Sequence, residues 1–288
     1  MAQLEPFAVR PCFFEGKRAP QLSKLHANYN NMSESPIYLS VRSISELIAP
    51  PRYYSKGKCQ QALDDAYRRC HVSEMPTESA IENPLAKYLW ENQKEELIEC
   101  FDAAMSNEKV FECFRHWPIS KGFGATWTPF IDKFCTAINL LRGRYNEQIV
   151  RKRGNVEPGE CITFDGLAPL YIRGKTDGTT HTGNPVEIKV RSKKMYDKIP
   201  LNEYIQCQLY ARITNKQWCR FYQEFQGEIR MATVIFDDVF FEELLDLIRA
   251  IERCFRRCDA EDMSPSLAGM PGLGCSKPDF IEDTWFDV

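Results

Sequence analysis

The chain of 288 residues is 43% hydrophobic and 27% charged, with a formal net charge of −3, a composition with room for one large or two modest domains. Collagen, coiled coil and wholesale disorder are excluded by it. The longest apolar stretches, such as Val239–Arg249, are broken by charge and fall short of the roughly 20 residues that span a bilayer, so no membrane insertion is expected.

The first ten residues lack a basic region followed by an apolar core, so no secretory signal is expected and the setting reads as intracellular, nucleus or cytoplasm. Residues 1 to about 35, with Pro6, Pro11, Pro20 and an Asn-rich run, read as an irregular arm. From 36 to 140 the texture is helical. Ser43–Ile48, Cys59–Cys70, Ile81–Ala104 and Pro129–Val150 carry apolar residues at three- and four-residue spacings. After Gly159 the period changes: Leu170–Arg173, Val186–Arg191, Gln217–Gln226 and Ile229–Phe236 read as strands, and Asn202–Thr214 and Val239–Arg257 as helices. The expected class is α/β, a mixed sheet flanked by helices with a helical N-terminal extension. Residues 259–288 hold seven acidic residues against one lysine and read as a flexible acidic tail.

Twelve cysteines scatter from Cys12 to Cys275 without a spaced framework, which reads as reduced core thiols. Cys254 and Cys258 lie one helical turn apart and read as buried small hydrophobes rather than metal ligands, since no Cys-x-x-Cys occurs. Between Leu140 and Pro200 stand 12 Lys/Arg against 7 Asp/Glu. A local balance of +5 in an otherwise acidic chain fits a nucleic-acid channel.

The most informative segment is Gly174-Lys-Thr-Asp177-Gly178, a polar turn, then Pro185-Val-Glu187-Ile-Lys189-Val-Arg191. Strand alternation puts Val186, Ile188 and Val190 on one face and Glu187, Lys189 and Arg191 on the other. Asp177 and Glu187 are a hairpin's length apart and can share a hard cation such as Mg²⁺, with Mn²⁺ as substitute and the Ile188 carbonyl as a further oxygen. Lys189 then stands near the water on that cation, the logic of metal-assisted phosphodiester hydrolysis. A Glu-x-Lys on a strand is by itself more often a solvated face. Three additions shift that balance: Glu147 on the preceding helix, and Gln206 and Tyr210 one turn apart on the following one.

His181 in the intervening turn reads mainly as solvated. Arg151-Lys152-Arg153 reads either as a phosphate contact or as a solvated helix end. Trp117, Phe123, Trp127 and Phe130 read as aromatic core, with base stacking as the alternative.

At Gly143 to Glu147, Asp177-Gly178, Glu187-Ile188-Lys189 and Gln206-Cys207-Gln208, followed by two strands and a long helix, the sequence resembles the PD-(D/E)xK nuclease superfamily, in its lambda exonuclease-like, viral-recombinase (YqaJ-type) branch. The resemblance spans about Leu140 to Cys258. It implies a restriction-endonuclease-like core over 141–258, Asp177, Glu187 and Glu147 as carboxylates at a metal, Lys189 as catalytic lysine, and Gln206 as a residue ordering the site. It further implies a Mg²⁺-dependent deoxyribonuclease, a 5′-to-3′ exonuclease in recombination or viral DNA processing, inside a host cell if viral. The Ser-Pro that usually precedes the Asp-Gly is replaced here by Lys175-Thr176, where Lys175 offers a charge to phosphate. Arg191, Lys193 and Tyr210 are further nucleic-acid candidates. Members that degrade duplex ends hold the 5′ phosphate with an N-terminal arginine and serine, which the resemblance matches faintly to Arg42 and Ser45 in Val41-Arg42-Ser-Ile-Ser45-Glu46.

The implied partners are linear duplex ends, a strand-annealing or single-strand-binding protein, and further copies in a homo-oligomer. The alternatives are a structure-selective endonuclease or RNA-cleaving relative, and a catalytically silent DNA-binding module.

Overall fold

Ile37-Tyr-Leu-Ser40 alternates inward and outward as strand β1 (Ile37–Ser40), and the Ser40 hydroxyl then caps helix α1 (Val41–Ile48) by accepting from the Ser43 amide. The same device starts α2 (Lys56–Arg69), capped by Ser55, and α3 (Pro84–Asn92), where Asn83 accepts from two amides and Pro84 supplies a preset first turn. The helices α4 (Lys94–Asp102), α5 (Asn107–Phe114) and the 27-residue α6 (Trp127–Arg153) follow. The computed structural model describes residues 35–50, 54–73, 83–103, 105–114, 127–191, 193–267 and 286–287.

The second half alternates strands with two helices: β2 (Glu157–Pro158), β3 (Cys161–Leu167), β4 (Leu170–Lys175), β5 (Gly178–Thr179), β6 (Pro185–Val190), α7 (Leu201–Ile213), β7 (Trp218–Phe225), β8 (Glu228–Ile235), α8 (Asp238–Glu261) and β9 (Phe286–Asp287). They form a three-stranded sheet of order β1-β4-β3 and a six-stranded sheet of order β2-β5-β6-β7-β8-β9. The sheets are mixed. β6 runs parallel to β7, with Glu187 beside Phe221 and Lys189 beside Gln223, while β7 and β8 form an antiparallel hairpin. Gln226 and Gly227 turn that hairpin with φ of 53° and 86°, the double positive φ that matches strand twist.

Among the described residues, three apolar clusters hold these layers. Ile205 and Leu209 of α7 and Leu244, Ile248 and Phe255 of α8 pack with α1 and the sheets. Leu89, Leu97, Phe101, Phe134 and Ile138 make a helical cluster of α3 to α6. Val150, near the far end of α6, packs on Val186, Ile188 and Tyr222. One helix thus belongs to both the N-terminal helical part and the sheet. The expected mixed α/β core flanked by helices, with a helical extension ahead of it, is the architecture observed.

Several elements differ from expectation. The strands β1, β2, β3, β5 and β9 and the helix α5 had no counterpart in the sequence reading, and the expected helix Ile81–Ala104 is two helices meeting at Gln93. The last helix runs past 258 to Glu261, because Asp259 accepts from the Tyr67 hydroxyl at 2.8 Å and contacts His71 at 3.1 Å. Pro265 and Leu267 are held by the Gln60 amide, and Phe286–Asp287 pairs with Met231 and Arg230. The remainder of the expected tail, and the N-terminal arm, lie outside the described residues.

Candidate functional site

On β6, Val186 and Ile188 are drawn to the α6 side by Val150 and Tyr222, and the period of two therefore sends Glu187 and Lys189 to the opposite face, toward α7. Their side chains pair there, 4% and 27% exposed. Asp177 is fastened to the same strand twice: its amide donates to the Val186 carbonyl at 3.0 Å, and its Oδ2 accepts from the Ile188 amide at 2.7 Å. The short hairpin β5–β6 closes the interval, with the Asn184 amide donating to Thr180 Oγ1 at 3.1 Å. Gly178 is required beside Asp177, since a Cβ there would stand 2.2 Å from Val156 Cγ1 and 2.6 Å from the Glu157 carbonyl.

The electrostatics follow from this burial. Desolvation pushes the Asp177 carboxyl up, and Lys189 and the Ile188 amide oppose it. Glu187 is pushed up to about 8, first by burial and then by the Asp177 charge. Burial would depress the Lys189 ammonium, but Glu187 and Asp177 outweigh it and hold the group protonated. Glu147 reaches the same region from α6 and rises to about 7 through burial and Asp177, with Arg151 pulling the other way. Arg151 Nη2 donates to Glu147 Oε1 at 2.8 Å. Asp177 thus lies within electrostatic reach of both Glu187 and Glu147, and Lys189 within reach of Asp177 and Glu187.

Among the described residues, no three His, Cys, Asp or Glu side chains already converge as a metal site: Glu187 is turned into Lys189 and Glu147 into Arg151. The donor set is nonetheless suited to a hard divalent cation, because buried carboxylates that desolvation and the Asp177 charge push up are relieved by it.

The other sequence candidates divide. Gln206, 6% exposed, donates to Ser45 Oγ at 2.9 Å, and its own Oε1 is buried with no hydrogen-bond partner. Ser45 in turn donates to the Arg42 carbonyl within α1, and its bond with Gln206 ties α1 to α7. The Arg42 side chain is 78% exposed and pairs with Glu46. Tyr210 is buried and donates its hydroxyl to the Lys175 carbonyl at 2.8 Å, which fixes the end of β4 two residues before Asp177. Arg191 is held bidentately by Glu203 at 2.6 and 2.7 Å with both side chains about one-tenth exposed, so its guanidinium is committed inside the protein. Lys193 is exposed on the loop that follows, as is His181 in the β5–β6 turn. Arg153 donates to the Gly227 carbonyl. Trp117 and Phe123 lie outside the described residues, while Trp127 and Phe130 fall in the first turns of α6.

Sequence reasoning missed Glu203 and Gln223. An acid in the first turn of α7, and an amide at an inward position of β7 in register with Lys189, were the available signals. A cavity of about 670 Å³ opens between α6 and the β6–β7 ends, lined by Arg142, Asn146, Val190 and Glu224. Asp177, Glu187 and Lys189 are not among its lining residues.

No protein-family model matches the chain, and no curated protein matches it. Among solved structures it is similar to an alkaline exonuclease (LHK-Exo) from Laribacter hongkongensis, with 17% identity, a TM-score of 0.34, and coverage of 43% of this chain and 73% of that one. It is also similar to the protein SSO0001, with 14% identity, a TM-score of 0.33, and coverage of 67% and 86% respectively. No helix among the described residues is long and apolar enough to cross a membrane.

Proposed function

We propose that this chain is a divalent-metal-dependent nuclease that hydrolyses phosphodiester bonds of DNA, acting as a 5′-to-3′ exonuclease on linear duplex ends in recombination or viral DNA processing. The observation that carries the reading is the convergence of Asp177, Glu187 and Lys189 on the hairpin β5–β6, with Glu147 brought up from α6. A surface Glu-x-Lys pair needs no burial. Here the glutamate is 4% exposed and its neighbouring aspartate is held by two main-chain bonds, an electrostatic cost that a structural role does not explain.

Asp177 and Glu187 would hold the cation, with Glu147 and the Ile188 carbonyl completing its oxygens; Mg²⁺ fits that set, and Mn²⁺ can replace it. When bound, such a cation acidifies a water and draws charge from the phosphoryl oxygens. The chain supplies the rest. Lys189, an ammonium in the metal-free protein, is placed to orient the attacking water and to offset the charge that grows on the phosphate. Gln206, clamped to Ser45, and Tyr210, clamped to Lys175, tie α7 to α1 and to the end of β4 that leads to Asp177. Arg42 and Lys193 present exposed cations to the backbone of the bound strand.

The test is digestion of end-labelled linear duplex, with and without a 5′ phosphate, beside a closed circle, in Mg²⁺. Release of mononucleotides from the linear 5′-phosphorylated duplex alone supports the exonuclease. Nicking of the circle replaces it with an endonuclease, and the absence of any hydrolysis refutes the nuclease.

A further inference from the structure

The loop that leaves β6 just beyond Lys189 carries an aromatic residue whose main chain is held by the sheet and whose side chain is partly exposed. Gln223, fully buried, stands beside Lys189 in the parallel β6–β7 register and on the same sheet face. Its amide grips Tyr196 at both main-chain groups: Oε1 accepts from the Tyr196 amide at 3.0 Å, and Nε2 donates to the Tyr196 carbonyl at 2.7 Å. The Tyr196 ring lies over the Arg191 guanidinium, 4.6 Å from the ring centroid, and Arg191 lies in turn over the buried Phe221 ring at 6.0 Å. Glu203 locks that guanidinium bidentately. The stack Phe221, Arg191, Tyr196 therefore runs from the core outward and ends in a tyrosine that is 38% exposed. Lys193, Lys194 and Lys198 are exposed around it.

We infer that Tyr196 is a stacking platform for an unpaired nucleobase of the strand being cleaved, the base adjoining the phosphodiester at Lys189. The exposed part of the ring offers an aromatic surface, and every base presents a flat π face that can stack on it. The cation behind the ring strengthens the arrangement, and the main-chain clamp removes the ordering cost of a loop side chain before any ligand arrives. The place is determined by geometry: one strand spacing of about 4.8 Å separates Lys189 from Gln223, and a single glutamine side chain bridges from there to Tyr196. The lysines supply sequence-independent attraction to the flanking phosphates. The inference rests on the nuclease reading and adds to it a single-strand subsite beside the reacting bond.

The test is equilibrium binding of the full chain, in Ca²⁺, to a single-stranded oligonucleotide carrying one 2-aminopurine, read by fluorescence anisotropy and by quenching of the base on stacking. Tyr196→Ala should weaken binding by about 5- to 150-fold, the range for loss of one base–aromatic stack, and should restore 2-aminopurine fluorescence. Tyr196→Phe should keep both affinity and quenching. The Gln223 contacts are to main-chain atoms, so the alanine variant retains them, and an unchanged thermal unfolding curve verifies this. Binding and quenching by Tyr196→Ala equal to wild type would overturn the platform while leaving the nuclease reading intact. A wild-type chain that binds neither single-stranded nor duplex DNA would overturn both.

Discussion

Glu187→Gln should make the metal-free protein more stable while abolishing its chemistry. In the folded chain burial and the Asp177 charge push this carboxyl from 4.5 to about 8. At pH 7 the unfolded chain gains free energy by ionising it, whereas burial and the Asp177 charge oppose ionisation in the folded chain. From the unfolded pKa of 4.5 to pH 7 is an interval of about 2.5 pH units, which at about 1.36 kcal/mol each is worth about 3 kcal/mol. The folded pKa is the higher one, so the stability is full below the ordinary glutamate pKa of 4.5 and is lost as pH climbs toward about 8. A glutamine cannot ionise in either state and escapes the loss, and Lys189 keeps Asp177 as a partner. Urea unfolding in EDTA should show the variant about 3 kcal/mol more stable at pH 7, a midpoint shift of about 1 M if the slope is about 3 kcal/mol/M. The advantage should vanish near pH 4, and Mg²⁺ should stabilise wild type but not the variant. A variant less stable than wild type at pH 7, or a difference that does not change with pH, would refute the assignment of Glu187 as an electrostatically stressed carboxylate.

Lys189→Ala should lower turnover by about 10²- to 10³-fold, the usual loss for one positioned charge-stabilising group, with circular dichroism unchanged. Glu203→Ala leaves Arg191 buried without its bidentate partner and should destabilise the fold by about 3–5 kcal/mol in denaturant titrations; joint replacement of Arg191 and Glu203 by apolar residues should recover most of that. Tyr210→Phe removes the hydrogen bond to the Lys175 carbonyl, costing about 0.5–1.5 kcal/mol, and single-turnover kinetics should show the chemical step slowed with substrate affinity little changed.

The legible part of the site was the part encoded by local period. Alternation along Pro185–Val190 separates Val186 and Ile188 from Glu187 and Lys189 in the sequence as it does in the sheet, because a strand has only two faces. Helix starts at Ser40, Ser55 and Asn83 are equally local, being side chains that cap amides two or three residues on, yet the expected helices begin at Ser43, Cys59 and Ile81 because apolar spacing does not register a polar cap. What stayed hidden is held by long-range pairing. β1 is four residues and gains its hydrogen bonds from β4 more than a hundred positions away, and β5 and β9 are two residues each, too short for any period to register. Ser45 meets Gln206 across 161 positions. Arg191 had the composition of a nucleic-acid contact, and only the packed structure reveals Glu203 consuming its donors. Gln223 could be read from spacing as inward-facing, but not that its amide would grip Tyr196.

The most direct measurement is the Mg²⁺ dependence of DNA hydrolysis by wild type beside Asp177→Asn, each checked for an intact fold by thermal unfolding. The account predicts hydrolysis by wild type that disappears in EDTA, returns with Mg²⁺, and is absent from a folded Asp177→Asn at every Mg²⁺ concentration. Hydrolysis by Asp177→Asn at the wild-type rate, or a wild type whose rate is indifferent to EDTA, would contradict it.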